Sequence, residues 1–279
     1  MKSVLLIAAA VAVAFTGQAL AKDYKSIKVA TEGAYAPWNF KDSAGKLVGF
    51  ELDLAADLCG RMKIECTVVE QAWDGIIPSL QAGKYDVIMA GMSITDKRKE
   101  VITFSRSYAA TPAKFVVSKS GPDAGFKTAL DHIDLTTVEP DEKAAVAEVV
   151  KQFKGKTIGV QTATTHENFL REYMGNDVDI RTYDTQENLD LDLQAGRVDA
   201  ALAAMSYWVP LLEKDAGSDM TMVGPGFVGG PFGHGVGAGI RKEDQALADM
   251  FSTAIQAAID DGSVSKLAVK WFGFDASAK

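Results

Sequence analysis

The chain has 279 residues, 47% apolar, 24% charged and 9% aromatic, which excludes disordered, collagenous and coiled-coil classes and fits one large or two medium domains. Asp and Glu outnumber Lys and Arg by 37 to 29 with no basic block, so nucleic acid and anionic membrane surfaces are not expected partners. With only three His and two Cys, none at metal-ligand spacing, no metal or other cofactor is expected.

The first element is an export signal over residues 1–21: Lys2, an apolar run from Val4 to Phe15, and Ala19-Leu20-Ala21 as the cleavage site. The mature protein is therefore expected in the periplasm, without a lipid anchor, since Lys22 and not Cys directly follows the cleavage site. No later stretch approaches the 18 apolar residues of a membrane span. Residues 26–31 read as a strand and 50–62 as a helix with Leu52, Ala55, Ala56 and Cys59 on one face. Cys59 and Cys66, the only cysteines of an exported chain, predict a disulfide stapling the helix end to a strand over 64–70. A helix over 74–82 and a buried strand over 85–90 follow. Residues 121–153 are polar, with Pro122 and Pro140, and suggest an extended excursion. A second series then runs through strands at 156–161, 179–183 and 198–203 and helices at 165–174 and 186–195. Residues 224–239 hold eight Gly and suit a crossing poor in regular structure, before closing helices at 243–261 and 263–271. Alternation of this kind defines an α/β fold with largely parallel sheets.

An internal match sharpens the architecture. Leu80-Gln-Ala-Gly-Lys-Tyr-Asp-Val-Ile-Met-Ala-Gly-Met-Ser93 aligns with Leu193-Gln-Ala-Gly-Arg-Val-Asp-Ala-Ala-Leu-Ala-Ala-Met-Ser206, identical at eight of fourteen positions. The unit is a helix end, a Gly cap and a turn into a strand. Two similar lobes would each present the carboxyl end of that strand to a shared crevice, where open α/β sheets bind ligands.

Catalytic signatures are scarce. Gly224-Pro-Gly226-Phe-Val-Gly229 matches G-x-G-x-x-G, but Gly230-Pro231 follows where the fingerprint needs a helix, so it is rejected. Recognition chemistry is better represented. Ala90, Gly91, Ser93 and Arg98 place a strand end, a close-approach glycine, a hydroxyl and a guanidinium in the first turn of a helix capped by Thr95, together a carboxylate clasp. The segment from Gly159 to Glu167, with Gln161, Thr164 and His166, joins a strand to a helix through hydroxyls and small residues, and reads either as an anion cradle or as a plain helix cap.

Several motifs together resemble one family. Glu32-Gly-Ala-Tyr-Ala-Pro-Trp38, Gly49-Phe-Glu-Leu-Asp53, Trp73-Asp-Gly-Ile-Ile-Pro-Ser-Leu80, Ser93-Ile-Thr-Asp-Lys-Arg98, Phe104-Ser105 and Gly159-Val-Gln161 are similar to the polar amino-acid-binding proteins of ABC importers, solute-binding protein family 3. The members nearest in motif are those for octopine and nopaline and for lysine, arginine and ornithine. The resemblance implies a two-lobed periplasmic binding protein fold with a hinge and an interlobe ligand cleft. Lobe 1 would hold residues 22–109 plus 236–279 and lobe 2 residues 110–235, with hinge crossings near 109–113 and 228–236. It also implies that Arg98 and Ser93 clamp a ligand carboxylate, that Tyr35 and Trp73 sandwich the ligand side chain, and that Glu32 meets a distal cation.

One departure bears on the ligand. After Asp199-Ala-Ala-Leu202 the family carries an aspartate for the ligand's α-ammonium, and this chain has Ala203-Ala204. A buried unpaired ammonium costs several kcal/mol, so an arginine-derived opine, whose amine is alkylated and flanked by a second carboxylate, suits Ala204, Gln161, Thr164 and His166 better than a plain amino acid. The expected partners are thus an opine or basic amino acid and an inner-membrane ABC permease, with the protein a monomer and not an enzyme. The competing expectation is a cyclohexadienyl-dehydratase-like lyase on the same scaffold, for which Glu32 is the prominent acid.

Overall fold

The computed structural model describes residues 24–278; the signal assigned to residues 1–21 lies outside them. Two mixed sheets carry the architecture. The first has the order Glu65–Glu70, Ser26–Thr31, Val87–Ile88, Gly239–Ile240, Thr103–Phe104. Its first three strands are parallel, and Gly239–Ile240 is antiparallel to both neighbours. The second has the order Asp179–Tyr183, Thr157–Gln161, Ala200–Ala204, Ala113–Ser118, Met220–Val228, His132–Asp134. Again three parallel strands lead to a fourth, Ala113–Ser118, antiparallel to both neighbours. The two copies of the internal match end in Val87–Ile88 and Ala200–Ala204, the third strand of each sheet. The repeat is therefore topological, and the fold is the two-lobed α/β one. A small sheet of Ala34–Tyr35, Asn39–Lys41 and Leu47–Val48 caps the first lobe beside the cleft.

The chain passes between sheets twice. It leaves the first after Thr103–Phe104, joins the second at Ala113, and returns between Val228 and Gly239. At the crossing, Ala109 bridges both Val236 and Ser277 in antiparallel fashion, so the last described residues flank the same backbone.

The helix Phe50–Met62 forms where expected, but its buried face is Phe50, Leu54, Ala55, Leu58 and Cys59. Leu52 is half-buried and Ala56 exposed, one position away from the stripe read from the sequence. Phe50 packs edge-on to Trp38 with ring centroids 5.4 Å apart, and Phe272 of the helix Ser263–Phe272 lies 4.8 Å from both. The helix ends on Lys63 in the left-handed conformation, and Cys59 is bonded to Cys66 with Cα atoms 6.2 Å apart. We expect no free thiol in native protein. Reducing the bond should cost about 2–4 kcal/mol, seen as a lower melting temperature with ligand binding retained.

Three expectations need correction. Residues 121–153 are not simply extended: they hold the strand His132–Asp134 and the fourteen-residue helix Pro140–Phe153. Pro140 opens that helix at a position where a missing N–H costs nothing, behind a capping box of Glu139 and Glu142. Its buried positions Ala145, Val146, Val149 and Phe153 are spaced for a helix face, hidden in the sequence by a highly charged outer side. Residues 224–239 likewise contain the end of the nine-residue strand Met220–Val228; Gly224 to Gly229 thus lies in and just after a strand, away from any nucleotide-type turn. The helix over 165–174 is α-helical only from Thr165–Phe169 and continues as a π-turn, Leu170–Met174.

Candidate functional site

The carboxyl ends of the inner strands converge on a cleft between the lobes. A chamber of about 40 Å³ is lined by Glu32, Tyr35, Trp73, Ala90, Gly91, Ser93 and Arg98 from the first lobe and by Gln161, Thr164 and His166 from the second. All ten were singled out in the sequence; Thr165 and Gln186 complete the lining and were not. Gln186 opens the helix Gln186–Gln194, capped by Thr185. A helix start pointing into a crevice was the available signal for it. The eleventh residue, Ala204, lines an adjoining chamber of about 170 Å³ with Trp38, Thr111 and Phe232. The two chambers share Tyr35, Gly91, Ser93, Thr165 and His166.

The lobes touch across the first chamber. Trp73 Nε1 donates to the Thr162 carbonyl at 3.1 Å. Gln161 Nε2 donates to Glu32 Oε1 at 2.6 Å, and an Arg98 terminal nitrogen donates to the Ala163 carbonyl at 3.3 Å. Below them Tyr35 stacks on Tyr207 at 4.9 Å and Trp38 Nε1 donates to Ser206 Oγ at 3.0 Å.

Several groups are already committed. The Gly91 amide is not free for a ligand: it donates to Glu51 Oε1 at 2.7 Å, with Gly91 at φ 61°. The Thr164 hydroxyl donates to the Gln161 carbonyl at 2.7 Å and accepts from the Glu167 amide at 3.1 Å; it is the helix cap, which leaves it little capacity as an anion donor. The Gln161 amide is divided between Glu32 and the Asp184 carbonyl. Tyr35 offers a ligand one ring face at most, the other lying on Tyr207. Its hydroxyl is bound by the Ala204 backbone amide. Trp73 has the Arg98 guanidinium over its ring at 5.2 Å, a cation–π contact.

The charges are polarised. Thr95 caps the short helix Asp96–Lys99 by accepting from the Arg98 amide at 3.2 Å. The Arg98 guanidinium donates to the Ser93 carbonyl at 3.0 Å and has no carboxylate partner among the described residues. Burial lowers its pKa to about 10, so it stays charged. Burial also raises the Glu32 carboxyl to about 7, with Glu187, Glu51 and Asp184 adding repulsion against the Gln161 hydrogen bond. Burial, then Arg98, hold His166 down at about 4, a neutral imidazole. The cleft therefore holds, among the described residues, a cation without a carboxylate partner and a buried acid without a cation, both lining the same chamber.

Two α/β lobes closing on such a cleft define a solute-binding protein. Residues 27–274 match the model of the bacterial extracellular solute-binding proteins, family 3, and the chain belongs to that family. It is similar to an octopine-binding periplasmic protein of Rhizobium meliloti, at 44% identity over 93% of this chain and 94% of that one. A histidine-binding periplasmic protein of Escherichia coli K12 is 35% identical over 98% of each chain. Among solved structures, an ancestral arginine-binding protein bound to arginine superposes with a TM-score of 0.75 at 29% identity, covering 89% of this chain and 99% of that one. These relatives are binding proteins, and this chain is one rather than a lyase.

Proposed function

We propose that the protein is the periplasmic ligand-binding subunit of an ABC importer for an arginine-derived opine or, failing that, a basic amino acid, delivered by a monomer to an inner-membrane permease. The observation that carries this reading is the polarised cleft: Arg98 without a carboxylate opposite the buried Glu32, a match for a ligand with a carboxylate at one end and a guanidinium or ammonium at the other. The rings of Trp73 and Tyr35 line the same chamber, and a guanidinium gains attraction over such rings. The adjoining chamber favours the opine, because a second carboxylate branch needs room beside Ser93 and His166, and Ala204 leaves it. In this reading residues 22–109 with 236–279 form one lobe and 110–235 the other, hinged near 109–113 and 228–236; the membership of the two sheets supports that division. Ligand closes the lobes by touching both at once, which selects the closed state. Calorimetry against arginine, ornithine, octopine and nopaline tests the reading. Binding of none of them, or turnover of prephenate or arogenate, would sink it.

Glu32 supplies a signed pH test. A carboxyl raised from 4.5 to about 7 in the fold is protonated below that pH and cannot pair with a ligand cation. Affinity for arginine or octopine should therefore rise with pH up to about 7 and then level. Stability of the ligand-free protein should move the other way. The raised pKa favours the folded state below 4.5, and that contribution is lost as pH climbs through about 7. His166, lowered to about 4, has the opposite stability slope, so the measurement is the difference between wild type and Glu32→Gln. A flat difference in both affinity and melting temperature would remove Glu32 from this role.

A further inference from the structure

Beneath the cleft lies a buried carboxylate whose partners belong to three separate segments. Glu51, 1% exposed in the first turn of Phe50–Met62, accepts from Asn39 Nδ2 at 2.7 Å, from the Gly91 amide at 2.7 Å, and from the Tyr108 hydroxyl. Each donor leads elsewhere. Asn39 Oδ1 accepts the Gly33 amide at 2.8 Å, holding the loop that carries Glu32 and Tyr35. Gly91 sits between Ala90 and Ser93 on the cleft wall. Tyr108 stands at the crossing between the lobes: its amide donates to the Val236 carbonyl at 2.9 Å, and its carbonyl accepts the Ala278 amide at 3.1 Å.

We propose that Glu51 is the positioning residue that joins the first-lobe half of the ligand cleft to the hinge strand, so that seating a ligand and bending the crossing are coupled through one buried acceptor. The proposal rests on the binding reading above only for its ligand arm. The chemistry requires an acceptor-only group. All three neighbours are donors, and a carboxylate has oxygens for each, whereas an amide would set an NH₂ against at least one N–H or O–H. No cation faces Glu51 among its hydrogen-bond partners, so its position is set by these three neutral donors and by the helix N-terminus. Displacing any one of them moves the group the other two rely on.

The test is a double-mutant cycle read in two ways. Tyr108→Phe removes only the hinge-side hydrogen bond. It should weaken arginine or octopine binding about tenfold, mainly through faster dissociation, while adding less than twofold in a Glu51→Gln background. In the ligand-free protein, amide exchange followed by NMR should quicken at least fivefold at Gly33 and Gly91 in Tyr108→Phe, though neither residue touches Tyr108. A merely structural role would lower the melting temperature without singling out those two amides. Additive affinity losses, or unchanged exchange at Gly91, would overturn the proposal. Should Glu51→Gln fail to fold, the cycle pairs Asn39→Ser with Tyr108→Phe, and additivity there overturns it equally. If wild type binds none of the compounds, the ligand reading has failed, and the exchange arm alone still decides the role of Glu51.

Discussion

Arg98→Ala should lose about 2–5 kcal/mol of ligand binding while the ligand-free protein melts at or above the wild-type temperature. The two halves of this expectation have the same origin. The Arg98 guanidinium is desolvated enough to lower its pKa to about 10, yet among the described residues it holds only two carbonyls, those of Ser93 and Ala163, and the face of Trp73. A half-buried charge without a counter-ion costs stability until a ligand carboxylate arrives, so removing it relieves the empty protein and cripples the occupied one. Arg98→Lys should also bind poorly, since an ammonium offers no fork for bidentate pairing. Calorimetry with thermal melting separates the outcomes. Wild-type affinity in Arg98→Ala would take Arg98 out of the site, and a large fall in melting temperature with proportionate loss of binding would make it structural.

Much of the fold was legible because its signals are local. Ser26–Thr31, Asp179–Tyr183 and Phe50–Met62 follow from alternation or helical spacing within a few residues, and the repeated helix–Gly–strand unit already implied two lobes. The helix Pro140–Phe153 escaped because Pro140 was weighed as a breaker, when at the first helical position it is a starter. The lining of the candidate cleft was legible as a set of residues but not as a set of bonds. Which donors remain available depends on neighbours remote in sequence: Gly91 is held by a residue 40 positions away and Tyr108 by one 57 away. Glu51 stood in a quoted motif without a role for this reason. A carboxylate's function here is defined by donors from three segments, and only the folded chain assembles them. With the amides of Gly91 and Gln161 committed, the proposed carboxylate clasp is left with Arg98 and Ser93, whose hydroxyl has no hydrogen-bond partner among the described residues.

The sharpest test of the ligand falls at Ala204, where Ala204→Asp should move two affinities in opposite directions. Ala204 is the residue before the helix Met205–Leu212 and lines the second chamber. Its side chain brings no charge there. An aspartate would add a carboxylate for the ammonium of free arginine, improving arginine binding a few-fold or more. The same carboxylate would face the second acid group of octopine or nopaline in a desolvated chamber. Like charges repel there and the added volume crowds the branch, so opine affinity should fall at least tenfold, about 1.4 kcal/mol. The fold should not suffer, because aspartate is a favoured helix cap and alanine a poor one, a difference of about 1 kcal/mol in the variant's favour. Misfolding would weaken every ligand alike and cannot produce a crossing of the two curves. Measured by calorimetry on wild type and variant, tight arginine binding by wild type with both opines excluded, or a uniform loss in the variant, would defeat the opine assignment and leave a basic amino acid as the cargo.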